Sequence, residues 1–123
     1  MSKILLAEDN EDLLMVLKVR LEGAGFDVET ATNGEDALEK IAQMQPDLVC
    51  MDIFMPVMDG IKVLQALRND EHVNNVPVVL LSGSTQAMDS IKKSVLALQV
   101  HGYLLKPFEF RSLVATIHEA LEK

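Results

Sequence analysis

The sequence has 123 residues and a formal net charge of −8, from 19 acidic and 11 basic residues, which argues against binding to the phosphate backbone of nucleic acids. Hydrophobic residues make up 49% and charged residues 24%, as expected for one soluble domain with a buried core, residues 1–123. The single cysteine, Cys50, excludes an internal disulfide and indicates a reducing compartment. Because no apolar run is long enough for a signal peptide or a membrane span, we expect a cytoplasmic protein that does not bind membranes.

In the first half of the chain, short apolar runs alternate with segments of helical periodicity. The predicted strands of this half lie in the runs at residues 4–7, 26–31 and 48–56, and the third strand is expected to end at Asp52. Asn10 is a candidate N-cap of the first helix, which is expected to end at Gly23 and Gly25. Asn33-Gly34 predicts a turn before the second helix. The apolar stripes of the two helices comprise Leu13, Leu14, Leu17 and Leu21, and then Ala37, Leu38 and Ile41.

The second half continues the same alternation. Its predicted strands are residues 78–82 and 102–106, and Pro107 ends the second of them. Asp59-Gly60 begins the third helix, and Ser84 and Thr85 are candidate caps of the fourth. The apolar stripes of the last three helices comprise Ile61, Leu64 and Leu67, then Ile91, Val95 and Leu98, and finally Leu113, Val114, Ile117 and Leu121.

This alternation of strands and helices predicts an α/β fold, a doubly wound parallel sheet of five strands with helices on both faces. The three runs that are apolar throughout belong in the centre of the sheet, and the two more polar ones at its edges. The arrangement favours the flavodoxin-like (βα)5 strand order 2-1-3-4-5.

The run at residues 48–56 is interrupted by one carboxylate, Asp52. A buried charge is unfavourable unless a partner compensates it. In an open parallel sheet, however, the carboxyl ends of the strands form the crevice where ligands bind. We therefore predict that Asp52 is a nucleophile and that the rest of the chain builds a pocket around it.

Polar residues follow the other central strands at the same edge of the predicted sheet. Glu8 and Asp9 end the first strand, Ser82 the fourth and Lys106 the fifth. Clustered carboxylates repel one another unless a cation is present, and Mg²⁺ or a similar ion such as Mn²⁺ suits a site of oxygen ligands. A carboxylate can attack phosphorus, and the metal and Lys106 could neutralise the charge on the phosphoryl group.

These residues resemble the receiver domains of two-component response regulators, and the resemblance covers the whole chain. Each motif is weak by itself, but the set in this order and spacing is highly specific. The matching residues are the acidic pair Glu8-Asp9, the phosphoacceptor Asp52 with Met55-Pro56 and Asp59-Gly60 after it, Ser82, Tyr103 and Lys106-Pro107. In the family the peptide bond of the last pair is usually cis.

The resemblance implies a mechanism in which Asp52 attacks the phosphohistidine of a sensor histidine kinase or phosphorelay partner with Mg²⁺ bound. It implies Asp9, Asp52 and the backbone carbonyl of Phe54 as direct metal ligands, with Glu8 acting directly or through water. Ser82 would then shift toward the phosphoryl group and Tyr103 would turn inward as the switch.

The resemblance further implies a phosphorylated signalling switch rather than a metabolic enzyme. Its output would be a downstream protein, bound at the face formed by the fourth helix, the fifth strand and the fifth helix, with the domain a monomer or weak dimer. One departure lies at residues 96–102, a segment about two residues longer than is usual in the family. In the family, the positions held here by Phe54 and Ser84 tune hydrolysis of the acyl phosphate, and we expect the bulky Phe54 to hinder water.

Three other functions are weighed against this one. A docking receiver that has lost phosphorylation would lack part of the site, which is complete here. A phosphotransferase of the haloacid dehalogenase kind would carry a second Asp at the position of Phe54. A flavin binder would need a phosphate-binding loop where the acidic pair Glu8-Asp9 stands.

Overall fold

The computed structural model describes residues 2–83 and 99–122. Within these ranges the chain forms five strands and four helices. In chain order they are β1 (Lys3–Ala7), α1 (Glu11–Gly23), β2 (Asp27–Ala31), α2 (Gly34–Met44), β3 (Leu48–Asp52), α3 (Gly60–Arg68), β4 (Val78–Ser82), β5 (Gly102–Leu105) and α4 (Phe110–Leu121). The fourth predicted helix and its candidate caps, Ser84 and Thr85, lie outside the described residues. None of the four helices is long and apolar enough to cross a membrane.

The strands form one parallel sheet in the order β2-β1-β3-β4-β5, which confirms the predicted flavodoxin-like arrangement. All five residues of β3 and of β4 are buried, because helices cover both faces at the centre of the sheet. The edge strands β2 and β5 alternate between more and less exposed positions. The three continuously apolar runs therefore lie in the centre of the sheet and the two more polar runs at its edges, as the pattern predicts.

Two hydrophobic cores lie on the two faces of the sheet, because successive residues of a strand point to opposite sides. Leu5 packs with Ile41 and Leu64 of α2 and α3, whereas its neighbour Leu6 packs with Leu17 of α1 and Ile117 of α4. Each such side chain contributes roughly 1.5–3 kcal/mol of burial free energy. These two cores fix the sheet rigidly between the helices and so fix the strand ends that carry the polar residues.

Local signals start the first three helices. Asn10, Asn33 and Asp59 each accept a hydrogen bond from a backbone N–H three residues on, at 3.1, 2.8 and 2.9 Å. Asn10 and Asp59 confirm the predicted helix starts. Asn33, taken from the sequence as part of a turn, is the N-cap of α2, and Gly34 is the first residue of that helix. A cap of this kind stabilises its helix by about 1 kcal/mol.

Cys50 lies wholly buried in β3, as expected for a cysteine that packs as a small apolar side chain. Burial raises the pKa of its thiol to about 12, so the reactive thiolate is disfavoured. Cys50 therefore belongs to the core and takes no part in the site.

The segment that leads into β5 is held by hydrogen bonds at the end of the sheet opposite the polar strand ends. Arg68, in the last turn of α3, donates hydrogen bonds to the backbone carbonyls of Asn74 and Val76, both at 2.9 Å, and of Gln99, at 3.0 Å. Gln99 has a left-handed backbone, with φ 58°. No sequence pattern predicts this role of Arg68, because its partners are backbone oxygens of residues distant in the chain.

Candidate functional site

The carboxyl ends of four neighbouring strands bring the predicted polar residues to one edge of the sheet. Asp52, the last residue of β3, pairs with Leu81 of β4, and Ser82, the last residue of β4, pairs with Leu105 of β5. Lys106 follows β5, and its backbone N–H donates a 2.7 Å hydrogen bond to the carbonyl of Ser82. Glu8 follows β1, whose pairing with β3 ends one residue earlier. The sequence thus predicts the convergence correctly.

Asp52 is held at both carboxylate oxygens. Its Oδ1 accepts a hydrogen bond from the backbone N–H of Phe54 at 3.2 Å, and its Oδ2 accepts one from Lys106 Nζ at 2.8 Å. The residue is only 6% exposed. Both oxygens therefore have fixed directions before any reactant arrives.

Glu8 is the more deeply buried acid, with no exposed surface. Its Oε1 makes an ion pair with Lys106 Nζ, whereas its buried Oε2 has no hydrogen-bond partner among the described residues. Burial first, and then the neighbouring Asp52, raise the pKa of Glu8 to about 7, against the opposing effect of Lys106. The positive charge near Glu8 is therefore too small to stabilise its carboxylate form fully.

Lys106 is the cation that joins the two acids. Its Nζ contacts both Glu8 and Asp52. Burial by itself would lower the pKa of Lys106, but its bonds to Asp52 and Glu8 outweigh burial and raise that pKa. Two buried carboxylates therefore share one ammonium group, and further positive charge would be stabilised here.

The acidic cluster fits a divalent cation. One carboxylate oxygen from each of Glu8, Asp9 and Asp52 can lie within 4.8 Å of the other two. Asp9 is exposed, so the cluster is open to solvent on one side. The unpartnered Oε2 of Glu8 is the kind of buried oxygen that a cation would satisfy. An all-oxygen donor set of this charge suits Mg²⁺ or Mn²⁺.

The other predicted site residues lie around this cluster. Ser82 is fully buried at the end of β4, and Tyr103 is 52% exposed on the edge strand β5. Phe54, two residues after Asp52, is 56% exposed. Ser84 falls outside the described residues. The Lys106-Pro107 peptide bond is cis, as the family resemblance implies.

The β3–α3 loop (residues 53–59) has features that the sequence pattern did not show. The N–H of Met58 bonds to the carbonyl of Pro56 at 2.8 Å, which makes a γ-turn centred on Val57 with φ 71°. A Cβ atom placed on Gly60 would lie 2.6 Å from the backbone oxygen of Asp52, so α3 begins directly against Asp52. The only sign of this contact in the sequence is a glycine in the first turn of a helix, where alanine has the higher helix propensity.

Comparison with known proteins gives a consistent result. A family model described as "Response regulator receiver domain" matches residues 4–118 of the chain. The match includes Glu8, Asp9, Asp52, Ser82 and Lys106, which are the residues that converge at the strand ends.

Curated relatives and solved structures agree with the family model. The chain is 40% identical over 123 residues to "Transcriptional regulatory protein CpxR homolog" of Haemophilus influenzae, covering 100% of this chain and 52% of that protein. It is 34% identical over 121 residues to "Alkaline phosphatase synthesis transcriptional regulatory protein PhoP" of Bacillus subtilis, covering 98% and 49%. The chain thus spans about half the length of these relatives. The structure of chemotaxis response regulator CheY4 of Vibrio cholerae matches with a TM-score of 0.89 at 30% identity, over 98% of both chains.

Proposed function

The chain belongs to the response regulator receiver domain family, and from that premise we propose that Asp52 accepts a phosphoryl group from a phosphohistidine. The donor would be a sensor histidine kinase or a phosphotransfer protein. The observation that carries the proposal is the set of groups around the Asp52 carboxylate. Lys106 Nζ lies 2.8 Å from Oδ2, and oxygens of Glu8 and Asp9 can approach within 4.8 Å.

The transfer is a displacement at phosphorus. A carboxylate oxygen of Asp52 attacks, a new P–O bond forms, and the P–N bond of phosphohistidine breaks with its electron pair left on the imidazole of the partner. The N–H of Phe54 and the ammonium of Lys106 hold the two Asp52 oxygens, so the nucleophile needs little reorientation. The product is an aspartyl phosphate on Asp52.

The neighbouring charges decide whether a dianionic phosphoryl group can come close. Lys106 already contacts Asp52 and can donate to a phosphoryl oxygen from the same position. Glu8, Asp9 and Asp52, with the backbone carbonyl of Phe54, would hold a divalent cation. When bound, Mg²⁺ or Mn²⁺ would neutralise the charge on the phosphoryl oxygens during transfer.

The proposed response is a switch in protein contacts. The Ser82 hydroxyl would donate a hydrogen bond to the phosphoryl oxygen, and Tyr103 would turn inward from its half-exposed position on β5. Since β5 is the edge strand and packs against α4, a change there would alter the face that the family resemblance assigns to β5, α4 and the helix predicted within residues 84–98. A downstream protein would read that surface, so the domain acts as a signalling switch and not as a metabolic enzyme.

Intact-mass measurement after incubation with a small acyl phosphate, with and without Mg²⁺, tests the proposal. We expect one phosphoryl adduct that depends on the metal and is absent from Asp52→Asn. Asp59→Asn is the matched control, because asparagine caps a helix as well as aspartate and the α3 cap is retained. Full labelling of Asp52→Asn would refute Asp52 as acceptor, and no adduct on the wild type would favour a docking receiver that is not phosphorylated.

A further inference from the structure

Gly34, the first residue of α2, lies in unusually close contact with the β3–α3 loop. A Cβ atom placed on Gly34 would lie 2.0 Å from the carbonyl oxygen of Met58 and 2.8 Å from its carbonyl carbon and its Cβ. Real Cβ atoms essentially never approach closer than 3.0 Å. Any other residue at position 34 would therefore require the Met58 carbonyl to move by about 1 Å or more.

The backbone conformation of Gly34 does not itself require glycine. Among the described glycines only Gly25 has a positive φ, and the cap of α2 is provided by Asn33. Alanine would favour the helix over glycine by roughly 1 kcal/mol. The contact with Met58, and not the helix start, is therefore what requires the absence of a side chain at Gly34.

The β3–α3 loop is anchored at its α3 end, which favours relief of a clash at Met58 on the Phe54 side of the loop. Its α3 end is fixed, because Gly60 packs against the carbonyl of Asp52 and the Gly60 N–H bonds to the Ile53 carbonyl at 2.7 Å. The γ-turn bond from Met58 to Pro56 couples a movement of Met58 to Pro56, which lies two residues from Phe54 in the chain. Phe54 donates its N–H to Asp52, so the same movement reaches the acceptor carboxylate.

We propose that Gly34 is a positioning residue for metal binding: through its contact with Met58 it holds the β3–α3 loop where the backbone of Phe54 can serve the Glu8, Asp9 and Asp52 cluster. The proposal rests on the proposed function for the identity of the metal site. It adds that Gly34, at the start of α2, sets the affinity of the cluster for the cation, although the acids themselves lie at the ends of β1 and β3.

The test compares Gly34→Ala with Gly23→Ala. Gly23 is the last residue of α1, and a Cβ placed on it meets nothing within 4 Å, so the control makes the same change without a contact. Mn²⁺ binding is measured by electron paramagnetic resonance without a phosphodonor. The Mg²⁺ concentration that gives half-maximal phosphorylation by a small acyl phosphate is measured separately.

For Gly34→Ala we expect about 10-fold weaker Mn²⁺ binding and a similar rise in the half-maximal Mg²⁺ concentration, as for other supports of metal ligands. The rate at saturating Mg²⁺ should return to within about 3-fold of the wild type, because a bound cation would draw its ligands, including Asp52, back into position. Gly23→Ala should match the wild type. A lower extent of phosphorylation at every Mg²⁺ concentration, with the half-maximal value unchanged, would indicate a general folding defect and overturn the proposal.

The remaining outcomes separate the two proposals. Wild-type protein that binds Mn²⁺ but forms no adduct would refute the proposed function. The positioning role of Gly34 would then be decided by the Mn²⁺ affinities alone. Equal Mn²⁺ affinity in Gly34→Ala and the wild type would refute the positioning role alone. If Gly34→Ala does not fold, Val57→Gly is added to let the loop move, and we expect a folded protein that binds Mn²⁺ weakly. A double variant that folds and binds normally, or that fails to fold with Mn²⁺ present, would overturn the proposal.

Discussion

The two loops that carry the acids of the site leave the sheet in different ways. The β1–α1 turn (residues 8–10) is short, and its backbone goes directly from a strand into a helix capped by Asn10. Its unfavourable feature is electrostatic, the buried carboxylate of Glu8. The β3–α3 loop is longer, and its unfavourable feature is conformational, the positive φ of Val57.

The difference indicates that the site is destabilised in two independent ways. A cation or a proton can relieve the charge at Glu8, because both neutralise it. Neither can relieve the backbone strain at Val57, which depends on the residue type. Stability measurements as a function of pH should therefore separate the two loops, and variants of each loop should differ in their response.

The largest effect on stability is expected at the β1–α1 turn. The pKa of Glu8 is about 7 in the folded protein against an ordinary value of 4.5. Between these values the folded state holds a proton that the unfolded state has lost, so the free energy of unfolding falls as pH rises from about 4.5 to about 7. Without metal, Glu8→Gln should remove this loss and stabilise the protein by on the order of 1–3 kcal/mol at about pH 8, with little effect at about pH 5.

Urea unfolding in the presence of a chelator measures this difference. Glu29→Gln, an exposed acid on β2, is the control and should show no such pH-dependent gain. A gain in Glu8→Gln that is equal at both pH values would mean that packing, and not the charge of Glu8, explains it.

The contrast between the two loops also determines what could be predicted from the sequence. Glu8, Asp9 and the Asn10 cap were all predicted, because a strand end, a cap and an acidic pair are local patterns. Strand β3 ends at Asp52, as predicted, although the apolar run in the sequence continues to Pro56. The run continues because Ile53 and Met55 remain buried after the strand ends.

The unpredicted features are those that depend on distant contacts. Gly34 was assigned to a turn because Asn-Gly favours turns, and its approach to Met58 joins residues from two different βα units. Arg68 holds backbone carbonyls of two separate segments, which leave no trace in side-chain patterns. The strand order and the converging acids were predictable because hydrophobic periodicity determines them, whereas the loop conformations depend on tertiary packing.

A smaller effect is expected in the chemistry of the β3–α3 loop. The exposed ring of Phe54 lies two residues after Asp52, and an apolar ring beside an acyl phosphate excludes the water that would hydrolyse it. Phe54→Asn should speed loss of the phosphoryl group by roughly 10-fold, equivalent to about 1.4 kcal/mol in the barrier. The decay of the phosphorylated mass measures the rate, and Phe54→Leu, which keeps an apolar side chain, should decay slowly. An unchanged rate in Phe54→Asn would show that this ring does not shield the site.

The smallest effect is expected from the strain in the same loop. Val57 is β-branched and 74% exposed, so its side chain contributes little packing to offset a left-handed backbone. Asparagine adopts this conformation more readily, and Val57→Asn should raise the free energy of unfolding by about 1 kcal/mol. Because no titratable group is involved, the gain should be the same at about pH 5 and about pH 8, in contrast to that of Glu8→Gln. Val16→Asn, an exposed valine on α1, should give no gain. If Val57→Asn stabilised the protein only at the higher pH, the strain in this loop would be coupled to the charge at Glu8, and the two loops would form a single unit.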